Sequence, residues 1–292
     1  MDIEEVIQAD DASAFLEIIT SNYTSNTNYA LRGSKKKCVF CKCAYQGSDS
    51  CIEASLAAEL MCNHSEKNAS YFAAAGNQIQ VLILLSNDNA NFENAVLGAI
   101  KYGQYQSFMW LLENNYDETM RDLRSNHSIF LKCAKGGNPK IFQYLIQNFP
   151  DQFNYSINSD KKVNECHKVD NLMRVATKYN HKDIVDMILL HPEYLSVHDI
   201  VPLKNSIQNK NFEMTKKLVE ITRLTKSDKI KLFNMAIDCQ NVEIITLLSE
   251  KYNLSLNGII FKAVCSNSIE FVRQILEKGI IDINEKNEYG IL

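Results

Sequence analysis

Proline and glycine are scarce, at 4 and 10 of 292 residues. That excludes collagen-like and Pro-rich linker segments and leaves long stretches of backbone open to helix. No run reaches the about 18 consecutive apolar residues that a membrane helix needs, which argues against a membrane partner. The opening residues, MDIEEVIQADD, lack the basic and apolar blocks of a secretory signal. A dominant charge is missing too. Lys plus Arg number 31 against 35 Asp plus Glu, for a net charge of −4, so there is no broad basic field for nucleic acid. P-loop, G-x-G-x-x-G, H-E-x-x-H and G-x-S-x-G motifs are absent. These absences predict a cytoplasmic, non-catalytic chain with reduced cysteines. Triplets such as Asn22-Tyr23-Thr24 and Asn126-His127-Ser128 then count as accidents of an Asn-rich sequence rather than glycan sites.

What is present is a repeat. A small–apolar start, a Gly or Asn breaker, a short polar link and two apolar pairs recur along the chain. The clear copies are Ala99–Leu112 (AIKYGQYQSFMWLL), Cys133–Ile146 (CAKGGNPKIFQYLI), Ala176–Leu189 (ATKYNHKDIVDMIL), Ala236–Leu248 and Ala263–Leu276. Ser206–Val219 is a polar variant, and Phe72–Leu85 fits with a small shift. Each copy reads as a short helix, a tight turn and a longer antiparallel helix. Ile184, Val185, Ile188 and Leu189 fall on one helical face. Gly103, Gly137, Asn180 and Asn267 are residue types that tolerate a left-handed turn. One such hairpin cannot bury its own apolar face, so copies must stack. Their starts lie 27 to 43 residues apart, and the widest interval holds a polar stretch, Phe149–Val169, read as an excursion.

The repeat resembles the ankyrin family. Asn180-His181 with Asp183, Ile184 and Val185 is similar to the family's GH-x-E-x-V section. Lys278-Gly279 with Ile281-Asp282-Ile283-Asn284 resembles its G-x-D-V-N finger, and Glu288-Tyr289-Gly290 the opening of a further repeat, so that the chain ends mid-motif. The T-P-L-H box is missing from every earlier copy. The resemblance is to divergent arrays of large DNA viruses, protists and intracellular bacteria, and it covers roughly residues 70–292. It implies an all-α, ankyrin-like helical-hairpin solenoid acting as a protein–protein interaction scaffold. It further implies a pathogen factor that meets host proteins in the host cytoplasm or nucleus. On this reading residues 1–20 form a capping helix pair, 21–68 a Cys-rich insertion, and 69–292 the repeats.

Nine cysteines are present. Cys38, Cys41, Cys43, Cys51 and Cys62 cluster near His64, with Cys38 and Cys41 in a C-x-x-C step after three lysines. Three readings stand side by side. Cys38 and Cys41, joined by Cys51, Cys62 or His64, can hold a structural zinc ion; the thiols can be unligated; or they can do redox chemistry. No cofactor is expected on the leading reading; a structural zinc ion is the alternative, and it defines a second functional class: a zinc-dependent nucleic-acid or ubiquitin-system module at Cys38–His64. Elsewhere, Cys133, Cys239 and Cys265 read as small packing residues. Adjacent Cys166-His167 in the polar excursion is a weak base–nucleophile pair, and His181 at a repeat turn reads as structural.

For a binding surface, equivalent first-helix positions carry Lys101, Lys135 and Lys178, with Tyr102 and Tyr179 following two of them. In stacked repeats such residues fall side by side, as a basic–aromatic ladder suited to another protein with an acidic surface. The alternative is an ordinary solvated face, with nucleic acid the weaker partner class. The ladder ends at Gln208 and Asp238.

Overall fold

The computed structural model describes residues 3–21, 38–58, 68–158, 172–191, 197–256, 259–265 and 268–279. Among the described residues the protein is all-helical, with twenty α-helices and no strand. It divides into two compact units, Met1–Leu172 and Met173–Leu292.

In the first unit, five helix pairs follow one another. They are α1 (Ile3–Gln8) with α2 (Ala12–Ser21), α3 (Val39–Gln46) with α4 (Asp49–Ala57), α5 (Ala69–Ala75) with α6 (Ile79–Asn87), α7 (Ala95–Tyr102) with α8 (Tyr105–Asn114), and α10 (Ile129–Gly136) with α11 (Pro139–Asn148). Two further helices, α9 (Tyr116–Ser125) and α12 (Pro150–Asn158), follow the last two pairs. First helices pack on first helices, α1 through α3, α5 and α7 to α10; second helices pack on second helices, α2 through α4, α6 and α8 to α11. The core lies between the two rows, where Phe40, Ile52, Leu82, Leu85, Ile100, Phe108, Leu111, Phe130 and Phe142 are fully buried.

The second unit repeats the plan. Its pairs are α13 (Leu172–Lys178) with α14 (Lys182–Leu189), α15 (Val201–Gln208) with α16 (Phe212–Ile221), α17 (Lys226–Asp238) with α18 (Val242–Tyr252), and α19 (Ile259–Cys265) with α20 (Ile269–Glu277). From α15 onward first helices again meet first helices and second helices meet second helices. Three of the four prolines, Pro139, Pro150 and Pro202, stand in the first turn of a helix, where a missing N–H leaves no bond unmade.

Three local devices hold the pairs together. The first is backbone proximity between first helices. A Cβ on Gly76 would stand 2.1 Å from Tyr45 O, one on Gly98 would stand 2.4 Å from Tyr71 O, and one on Gly136 would stand 2.1 Å from Ile100 O. The second is the turn, which uses a left-handed residue: Asp10, Gly47, Asn77, Gly103, Gly137, Asn180, Lys210 and Gln240 all have positive φ. The third is a cap shared between neighbours. Asn138, Asn211 and Asn241 each accept backbone N–H groups at the start of their own helix. Each also donates Nδ2 to the preceding turn, Asn138 to Gly103 O at 2.9 Å, Asn211 to Asn180 Oδ1 at 2.7 Å, and Asn241 to Lys210 O at 3.5 Å.

Two stretches differ from the sequence reading. The described part of the Cys-rich segment forms the pair α3 and α4, in line with its neighbours. Cys41, Cys43 and Cys51 are buried there with Phe40, Ala44 and Ile52, filling the places small apolar residues take in other pairs. The polar stretch after Phe149 begins as α12, anchored by Phe153, whose ring lies 5.2 Å from Phe130 and 6.1 Å from Phe142. Residues 159–171, with Cys166 and His167, lie outside the described residues.

Helix α9 supplies a buried acid to the start of α7. Asn94 caps α7 with φ of 64° and donates its N–H to Asp122 Oδ2 at 2.6 Å. Burial, opposed by that N–H and reinforced by Glu118 and Glu93, pushes the Asp122 carboxyl up to about 6 from its ordinary 3.8. The folded state thus holds this proton more tightly than the unfolded chain. The stability it contributes is complete below about pH 4 and is lost as the pH rises through 6. Asp122→Asn keeps an acceptor for Asn94 without the cost of a buried charge. In urea titrations the variant is expected to be more stable than the native chain at neutral pH, by on the order of 1 kcal/mol, with the gap closing toward pH 5. A gap that does not change with pH would refute this account.

Candidate functional site

The four ladder-type positions lie two residues before a left-handed turn residue. Tyr45 precedes Gly47, Lys101 precedes Gly103, Lys135 precedes Gly137, and Lys178 precedes Asn180. The intervening pair puts Ala75 and Gly76 at the corresponding positions before Asn77. These two small residues leave the space above α5 open, and Tyr45 and Tyr102 meet across it. Their ring centroids are 6.3 Å apart at an interplanar angle of 67°. Both rings remain well exposed, at 43% and 45%. Lys101 Nζ lies 5.6 Å from the centre of the Tyr102 ring, close enough for a cation–π attraction.

The same edge continues over the next pairs. Lys140 Nζ, at the start of α11, sits 5.2 Å from the Tyr105 ring at the start of α8. Lys135 is exposed at the end of α10. Lys132, one turn earlier, donates to Asn126 Oδ1 at 2.9 Å. Burial and the charge of Lys101 both hold Lys132 below its ordinary value.

In the second unit, Lys178 Nζ lies 6.0 Å from the Tyr179 ring, and that ring stacks on His181 with centroids 6.3 Å apart. Lys101, Tyr102 and Lys135 therefore share one unit, while Lys178 and Tyr179 belong to the other. A separate cleft of about 530 Å³ in the second unit is lined by Phe212, Lys216, Thr246, Leu247 and Glu250, with the Glu243–Lys278 ion pair at its side (3.7 Å). None of the ladder residues lines it.

Of the five candidate zinc ligands, Cys38 immediately precedes α3, Cys41 lies within it, and Cys51 lies in α4; all three are buried. Cys62 and His64 lie outside the described residues. Among the described residues no group of three His, Cys, Asp or Glu is placed to hold a metal ion. Burial, with a hydrogen bond and charge from Asp10, pushes the Cys51 thiol up to about 12. Burial and Cys51 push Cys43 up further. Burial alone raises Cys133. Burial thus favours the neutral thiol at Cys43, Cys51 and Cys133, and the thiol is a weaker nucleophile than the thiolate.

Tyr45 is the member of this edge that the sequence reading missed. The signal was there: Tyr45-Gln46-Gly47 stands in the same relation to its turn as Lys101-Tyr102-Gly103. In comparison with known proteins, the chain matches no protein-family model and no curated protein.

Proposed function

We propose that the protein is a non-catalytic protein-interaction scaffold. Each unit is read as a short ankyrin-like solenoid of helix pairs, and the docking surface as the edge formed by the ends of the first helices. The packing of first helices on first helices and second on second supports the solenoid reading. The observation that carries the functional reading is the Tyr45–Tyr102 pair with Lys101 beside it. Large amphipathic rings held half in water by rigid helices are the residues that anchor interfaces. Lys135 extends this surface in the first unit, and Lys178 with Tyr179 forms a second patch of the same kind. The family resemblance extends the reading to a factor directed at host proteins.

The test is capture of partners by the full chain compared with Lys101→Glu/Lys135→Glu. The expected result is a partner recovered by the native chain and lost by the variant, with both showing the same thermal melt. Equal recovery would remove this edge from the function.

A further inference from the structure

We infer that the turn edge of the first unit binds an extended acidic polypeptide segment that crosses the hairpins from α10/α11 toward Tyr45. This rests on the scaffold reading and names its partner by chemistry.

The first observation is a segregation of charge. The three hairpins Asn68–Asn87, Ala95–Asn114 and Ile129–Asn148 contain one acid, Glu113 in the last turn of α8, and the second and third carry Lys101, Lys132, Lys135 and Lys140. The other acids of this region lie between the hairpins: Asp88 and Glu93 after α6, Asp117, Glu118 and Asp122 in α9, and Asp151 at the start of α12. These lie at the ends of the hairpins away from their turns. A chain whose net charge is negative thus presents an uncharged turn at Asn77 and then two turns with lysines alone, Lys101 at one and Lys135 with Lys140 at the next.

The second observation is the exposed aromatic pair at one end of this edge. Two edge-to-face rings offer an apolar seat for an aliphatic side chain in the partner. Asp49, at the start of α4, and Asp10, which accepts N–H groups from Ser50 and Cys51 at 3.1 and 3.0 Å, lie beyond Tyr45. They bound the positive strip on that side and set the end of an acidic segment there. Regular spacing of equivalent positions from one hairpin to the next suits an extended chain better than a compact one.

Nucleic acid is the disfavoured anion. The strip holds lysines and no arginine, Asp10 and Asp49 would repel a continuing phosphate chain, and rings set at 67° do not form the parallel platform on which successive bases stack.

The experiment is fluorescence anisotropy of the full chain with a labelled peptide of alternating Asp and Gly carrying one central Leu. A single-stranded oligouridylate of equal charge serves as competitor. Binding is expected to weaken with salt. Lys101→Glu/Lys135→Glu and, separately, Tyr45→Ala/Tyr102→Ala are each expected to lose about tenfold or more in affinity. Lys226→Glu in the second unit is expected to leave it unchanged. Absence of peptide binding, no loss in either double variant, or tighter binding of the oligonucleotide would each overturn the inference. If the peptide fails while Lys101→Glu/Lys135→Glu still abolishes partner capture, only the acidic chemistry falls. If capture is also unaffected, the docking surface falls with it.

Discussion

Gly136→Ala is expected to destabilise the first unit by roughly 2–3 kcal/mol. The sign is not trivial. Gly136 is the last residue of α10, and helix propensity alone favours alanine there by up to about 1 kcal/mol. Packing decides against it. The added Cβ would stand 2.1 Å from Ile100 O and 2.8 Å from Gly103 N. Both are backbone atoms of α7 and its turn, so no side chain can swing aside. Helix α10 must move away from α7, and the shared-cap bond from Asn138 to Gly103 O stretches with it. Gly279→Ala is the useful contrast. A Cβ there meets nothing within 4 Å, and only its φ of +58° opposes the change, a cost of about 1 kcal/mol. Urea denaturation of the two variants should therefore rank Gly136→Ala as clearly the worse. The reverse order would mean that first helices are not packed at backbone distance.

Phe130→Ala is expected to cost more, roughly 3–5 kcal/mol. Phe130 is fully buried, edge-on to Phe142 at 5.8 Å and tilted against Phe153 at 5.2 Å. Removing it opens a void bounded by three different helices. Because α12 is anchored through Phe153, hydrogen exchange should accelerate across Pro150–Asn158 beyond any change in α5 or α6. Uniform acceleration across the unit would show instead that α12 is held by its other contacts.

The helix pairs were legible because their signals are redundant. Ile184, Val185 and Ile188 are buried as their spacing requires, and so are Ile244, Ile245 and Leu248. Gly103, Gly137 and Asn180 do adopt positive φ. Lys210 and Gln240 do so as well, and nothing in those residue types announces it; tertiary packing imposes the turn. Helices α9 and α12 were missed for a related reason. The buried face of α9 is half polar, Thr119 and Asp122 beside Met120 and Leu123, so it does not read as an apolar stripe, and α12 opens on the polar residues Asp151 and Gln152 before Phe153. At the candidate site, Lys101 and Tyr102 were readable as neighbours in the chain. The Tyr45–Tyr102 contact was not, since it depends on the smallness of Ala75 and Gly76 in the pair between them.

The shared caps have a chemical consequence for the ageing of the protein. Deamidation turns an asparagine into aspartate or isoaspartate, and neither has an Nδ2 to donate. At Asn211 and Asn241 the tie to the preceding turn would be cut in either product, while the helix cap would survive only as aspartate. Asn138 is protected from the usual route, in which the next residue's backbone nitrogen attacks the side chain: that residue is Pro139, which has no N–H. The join that Asn138 makes between α7 and α11, beside the proposed docking edge, is therefore closed to that route.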